Sequence, residues 1–210
     1  MNFGEAVANV AKKLGNRTDL DSSIEAEMQL AQVELETARM LPWWMLKEYY
    51  TDLAADATKI EVPTGFLREY EEGALWVEDT TASTFTVLQK TSLDVLRRVE
   101  ATDESDEVPE YYALVGMEFH VAPPAASQTR LRIVCYTKGE TLANPTDTNV
   151  WLDNNPEMLI AKTGMRMAQY LRSTELFAMF QSQYIEATQA QEIVNVAREM
   201  DNFEGFMGGG

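Results

Sequence analysis

The chain has 210 residues, enough for one sizeable domain or two small ones, and its 45% apolar residues can supply a core. Its 34 acidic against 17 basic residues give a net charge of −17, which argues against phosphate-backbone binding as the main activity, because that binding rests on Lys and Arg. Cys135 is the one cysteine, so an internal disulfide is excluded, and neither an apolar run of about 18 residues nor a signal-peptide core is present, so the chain reads as neither membrane-spanning nor secreted by that route.

In chain order, "MNFGEAVANVAKKLGNR" spaces Phe3, Val7, Val10 and Leu14 as one face of a helix stopped by Gly15 and Asn16. The next helix opens at "SSIE", with Ser22 as cap and Glu25 returning the bond. Ile24, Met28, Ala31, Leu35 and Ala38 form its seam, and Pro42 is the expected terminator. Trp43 and Trp44 then fall where helix gives way to strand. Consecutive strand residues point to opposite faces, so the pair reads as a junction anchor, one ring on the helices and the other on the sheet. The competing reading turns one ring outward toward a partner subunit.

From Trp44 to Leu142 the period is that of strands: "TKIEVP", "GALWVED" and "TFTVLQ", one helical excursion "SLDVLRRV" capped by Ser92, and three strands within "YYALVGMEFHVAPPAASQTRLRIVCYTKG". This predicts five or six strands with local, antiparallel connections. Helical spacing returns at Asn155 and Pro156, a cap and first-turn pair, with Leu159, Ile160, Thr163, Met167 and Tyr170 on one face. Ser173 opens a long last helix carrying Phe177, Phe180, Tyr184 and Ala187, continued by Val194, Ala197 and Met200. The end, "DNFEGFMGGG", has too much glycine and too little pattern to fold alone. The fold class is therefore α+β: a helical bundle formed by the N-terminal and C-terminal helices (1–43 and 149–200), an inserted antiparallel β domain (44–148) and a flexible tail (201–210).

Chemistry-bearing motifs are scarce. His120 is the sole histidine and has no second imidazole to complete a triad or zinc site; no G-x-S-x-G elbow, C-x-x-C or phosphate-binding glycine pattern occurs. Cys135 alternates within "LRIVCYT" and reads as a buried, inert thiol. Asp103, Glu104, Asp106 and Glu107 crowd one loop, but EF-hand spacing is absent and a solvated loop is the simpler reading. No catalytic residue, cofactor or metal site is assigned, and the expectation is a protein that is not an enzyme.

Several segments, taken in order, resemble the head-to-tail adaptor (connector) proteins of tailed bacteriophages. "MLPWWML" resembles their proline and tryptophan element, and "IEVPTGFLREY" their strand followed by a proline and a Phe-Leu-Arg turn. "YYALVGMEFHVAPPAASQTRLRIVCYTKGETL" resembles their Tyr-Ala-x-x-Gly hairpin with its proline turn, and "NVWLDNNPEMLIAKTGMRMAQYL" their tryptophan turn and proline-started helix. The likeness covers roughly residues 38–185; the first 37 residues and the tail depart from it.

The resemblance implies a structural virion protein, made in the host cytoplasm and placed at the head–tail junction. It implies a dodecameric ring of copies, contact with the portal protein above and a tail or nozzle protein below, and DNA passing through the lumen during ejection without specific binding. Phe203, Phe206 and Met207 are the candidate portal contact, because in such adaptors a C-terminal segment reaches the portal. Another tail component of the same particle, a tail-completion or tail-tube/nozzle protein, suits the same elements.

Overall fold

The computed structural model describes the backbone of residues 1–70, 73–79, 84–102 and 108–207, and their side chains except at 79, 101, 102 and 196–207. The chain is a mixed α and β protein that divides into two compact units, Met1–Met45 with Gly139–Gly210, and Leu46–Lys138.

Helix α1 (Phe3–Lys13) opens with a reciprocal cap: Asn2 Oδ1 accepts from the Glu5 amide at 2.8 Å, and Glu5 Oε2 accepts from the Asn2 amide at 3.0 Å. It buries Phe3, Ala6, Val7, Val10 and Ala11, and the backbone then turns through positive φ at Gly15 and Asn16. Helix α2 (Asp21–Glu36) buries Ile24, Met28, Ala31 and Leu35, together with the polar Gln32 and Glu36. Two expectations fail here. Ser22 lies within the first turn and does not cap it, since the 3-10 turn Thr18–Leu20 leads directly into the helix. The helix also ends at Glu36, well before Pro42, so Ala38 lies beyond the seam assigned to it.

Among the described residues the second unit carries nine strands: β1 (Leu46–Leu53), β2 (Lys59–Glu61), β3 (Phe66–Glu69), β4 (Leu75–Asp79), β5 (Thr84–Val87), β6 (Gln89–Lys90), then α3 (Leu93–Thr102), β7 (Tyr111–Val115), β8 (Glu118–Ala122) and β9 (Thr129–Thr137). Ser92 caps α3, its Oγ accepting from the Val95 amide at 3.4 Å. The strands form two sheets and outnumber the five or six expected. In the five-stranded sheet, β1 runs along one edge of β9, while β4 (at Leu131–Ile133) and β3 (at Cys135–Thr137) share the other, and β5 follows β4. The four-stranded sheet has the order β2-β8-β7-β6.

Not every pair is local and antiparallel. β1 and β9 are far apart in the chain, and β6 pairs with β7 in parallel, with α3 as the crossover that a parallel pair requires. Phe66–Glu69, read as a turn, is strand β3. Leu53, Leu75, Val77, Leu88, Phe119, Val121, Leu131 and Ile133 make the common core of the sheets, and Leu96 of α3 packs with Ala113 and Ala122 as a second cluster. Glu69 ties the sheets together, accepting from Tyr112 Oη at 2.9 Å and Lys90 Nζ at 2.7 Å.

Returning to the first unit, Asn149 caps α4 (Val150–Asn154), its Oδ1 accepting from the Trp151 and Leu152 amides at 3.1 Å each. Asn155 caps α5 (Pro156–Tyr170) through the Met158 amide at 3.2 Å, with Pro156 in the first turn as expected. Leu159, Ile160, Thr163 and Met167 are buried, whereas Tyr170, the last residue of the helix, is 62% exposed. Ser173 caps α6 (Thr174–Met207), its Oγ accepting from the Leu176 amide at 3.3 Å. α5 packs on α2 and on α6, and α1 on α2 and α5. Asn155 Nδ2 donates to Ala187 O at 3.4 Å and to Gln191 Oε1 at 3.3 Å, so the start of α5 lies opposite that turn of α6. From Gln191 to Met207 the helix runs on for about 24 Å at 1.5 Å per residue. Asp201–Met207, read as an irregular tail, thus has helical backbone.

Candidate assembly site

The groups capable of chemistry are held in inert settings. His120 on β8 places Nε2 3.4 Å from Glu118 Oε2, and Lys59 Nζ stands 3.9 Å from the same oxygen, a strand-surface charge cluster. Cys135 is fully buried in β9, and that burial pushes its thiol up to about 11, so at neutral pH it stays protonated. Among the described residues no group of three or more His, Cys, Asp or Glu could hold a metal ion. Asp103, Glu104, Asp106 and Glu107 lie outside the described residues. Two surface depressions of about 240 and 330 Å³ occur, one lined by Tyr50, Thr51, Asp52 and Arg130, the other by Glu61–Gly65, Met117 and Glu118. Both sit at or below the small end of the range that encloses ligands. No described helix is long and apolar enough to cross a membrane.

The tryptophan pair leads to a more organised place. Trp43 and Trp44 lie in a 3-10 turn, Trp43–Met45, not in a strand, so strand alternation does not set their directions. Both are half-buried. The Trp44 ring meets Trp151 edge to face with centroids 4.8 Å apart, and its Nε1 donates to Gln191 Oε1 at 3.3 Å. Trp151 in turn donates from Nε1 to Glu36 Oε1 at 3.2 Å. That carboxylate oxygen also accepts from the Gly139 amide and from Gln32 Nε2, each at 2.9 Å, and Gln32 Oε1 accepts from Asn149 Nδ2 at 2.9 Å.

Hydrogen bonds therefore join α2, the segment at Gly139, the α4 cap and the Trp151 indole, and the Trp151–Trp44 ring contact extends the set to Gln191 of α6. Buried polar groups that are mutually satisfied fix one arrangement of the elements carrying them. Sequence reading missed Gln32, Glu36, Asn149 and Gln191. A signal was present: Gln32 and Glu36 follow Met28 at four-residue spacing, putting polar side chains beside the buried seam of α2.

Of the candidate portal residues, Phe203, Phe206 and Met207 lie on helical backbone at the end of α6, and their side chains fall outside the described residues. The first unit presents helices braced by a polar network and a long C-terminal helix.

No curated protein matches the chain. The family model of the SU10 adaptor protein matches residues 1–204, nearly the whole chain, including the N-terminal segment that showed no specific resemblance. With that coverage, the chain belongs to the SU10 adaptor protein family, a family of structural bacteriophage adaptors.

Proposed function

We propose that the protein is a head-to-tail adaptor whose copies close into a ring between portal and tail, completing the connector and letting DNA pass. The observation that carries this reading is the family match over residues 1–204. In this proposal the helices of 1–43 and 149–200 form a bundle that carries the β domain 44–148, and Trp43 and Trp44 anchor the junction between them. Copies joined by unlike surfaces generate a closed ring when the rotation closes, and the resemblance to connector proteins suggests twelve.

Charge supports passage of DNA over adhesion to it. The chain carries −17 overall, with 34 acidic against 17 basic residues. A wall of that sign repels phosphates, so a duplex would slide along it. The long α6 supports a contact at its far end: Phe203, Phe206 and Met207 are apolar positions on its last turns and are the proposed portal contact. Deleting Asp201–Gly210 should leave the subunit folded by circular dichroism and abolish co-sedimentation with portal; undiminished co-sedimentation would discard the portal contact. Imaging of particles decides the wider reading, which requires density for this chain at the vertex where the genome exits.

A further inference from the structure

The outer face of the five-stranded sheet has a composition at odds with the rest of the molecule. Along β9, Leu131, Ile133 and Cys135 point into the core, so Arg130, Arg132 and Tyr136 stand on the opposite face. Cross-strand register sets Tyr50 beside Arg132, Asp52 beside Arg130, and Trp76 beside both Arg132 and Val87. The guanidinium groups lie over aromatic rings: Arg132 at 4.5 Å from the Trp76 centroid and 5.0 Å from Phe85, Arg130 at 5.0 Å from Tyr50, and Arg68 at 5.1 Å from Tyr136. Arg132 Nη1 stands 3.9 Å from Glu48 Oε1, beyond hydrogen-bond reach. Tyr50 is 49% and Val87 44% exposed. Stacking holds the Arg130 and Arg132 guanidinium planes in place on this face, and Arg and Trp on one surface are the residue types that dominate binding energy at interfaces.

A surface of complementary chemistry exists on the same chain. Ile185, Glu186, Gln189, Glu192 and Ile193 of α6 are spaced to share one helical face, and all five are exposed. That face lies across the helix from Phe180, Tyr184 and Gln191, which turn toward the helix's own unit. It offers two isoleucines and two carboxylates, the glutamates about 9 Å apart along the axis, against Arg130 and Arg132 about 7 Å apart along a strand. A mismatch of that size is within the reach of arginine side chains.

We propose that the outer face of the five-stranded sheet receives the Ile185–Ile193 stretch of α6 from a second copy of this chain. The contact pairs unlike surfaces, so it propagates from subunit to subunit and is suited to a ring; it rests on the ring reading above for the expectation that copies meet. Nucleic acid is the weaker occupant of the sheet face. The rings already carry guanidinium groups where bases would stack, and the chain's charge repels phosphate.

The test uses two variants of the full chain that each gain one cysteine, Val87→Cys on the sheet and Gln189→Cys on the helix, with Cys135 silent because it is buried. Particles assembled from an equal mixture are treated with a short bismaleimide. The expected result is a covalent dimer that forms only when both variants are present. Particles that contain the chain but yield no mixed dimer, or a dimer from Val87→Cys alone, overturn the contact while leaving the adaptor reading intact; particles lacking the wild-type chain overturn that reading and the contact with it.

Charge reversal gives a second readout. The exposed pair Glu186→Arg and Glu192→Arg should lower incorporation into particles by about tenfold or more, and Arg130→Glu with Arg132→Glu in the same chain should restore it. Normal incorporation of the helix variant, or binding of a single-stranded oligonucleotide that Arg130→Glu abolishes, would overturn the assignment.

Discussion

The ring of Trp44 stands edge-on to that of Trp151, with centroids 4.8 Å apart and planes at 87°, across more than a hundred residues of intervening chain. Trp151 is 1% exposed and hydrogen-bonded to Glu36, so truncating it removes a large buried ring and leaves that carboxylate short of a donor. Trp151→Ala should cost about 3–5 kcal/mol in urea unfolding of the full chain. Trp44→Phe keeps an aromatic edge and loses the donor to Gln191, so about 1 kcal/mol is expected. A Trp44→Phe loss as large as that of Trp151→Ala would show that the path to Gln191, not ring packing, holds the unit together.

Glu36 is the hub of the polar path, accepting at one oxygen from Gln32, Gly139 and Trp151. Glu36→Ala leaves the Gly139 amide and the Trp151 indole N–H buried without an acceptor, and each orphaned donor costs about 1–3 kcal/mol. Glu36→Gln keeps a carbonyl oxygen in place and should recover part of the loss. Comparing the two variants by urea midpoint separates acceptor geometry from charge, and an equal loss in both would show that charge dominates.

Gly164 permits the close approach of α5 and α6. A Cβ at this position would stand 2.2 Å from Phe180 Cδ1, and Phe180 is fully buried. Its ring cannot retreat without displacing α6, so Gly164→Ala should destabilise by about 1–3 kcal/mol despite alanine's better helix propensity. The pair Gly164→Ala with Phe180→Leu should be less damaging than the sum of its parts; strict additivity would mean the two sites do not touch.

Much of this architecture is written locally. The Asn155–Pro156 start of α5, the Gly15–Asn16 stop after α1 and the Ser92 and Ser173 caps each depend on neighbours a few residues away, and spacing reveals them. Strand β1 was not legible, because "LKEYYTDL" has little apolar alternation and becomes a strand by pairing along the whole of β9. The surroundings of Trp44 were not legible for a related reason: the chain enters β1 through a 3-10 turn, and the partners that position Trp44, Trp151 and Gln191, lie far along the sequence. The last turns of α6 looked irregular because glycine and mixed polarity obscure the period, yet the helix propagates from a strong start at Ser173. The SU10 family assignment rests on the family model's match over residues 1–204.

Burial of Cys135 predicts a specific loss of stability in alkali. The thiol rises from an ordinary value of 9.0 to about 11 when the chain folds, because the buried site disfavours the thiolate. Between those values the unfolded chain releases a proton that the folded chain keeps, so stability is fully present below about pH 9 and is lost as pH rises toward 11. Two pH units correspond to about 2–3 kcal/mol at most. Tyr112, raised by burial and by the Glu69 carboxylate it donates to, adds a loss of the same sign that begins near its ordinary value of 10.0. Urea midpoints measured from pH 8 to 10.5 should fall for the wild-type chain and fall less steeply for Cys135→Ala, which has no thiol to ionise. Parallel slopes for the two proteins would show that the thiol titrates in the folded chain as it does in the unfolded one, and that Tyr112 and the other groups account for the alkaline loss.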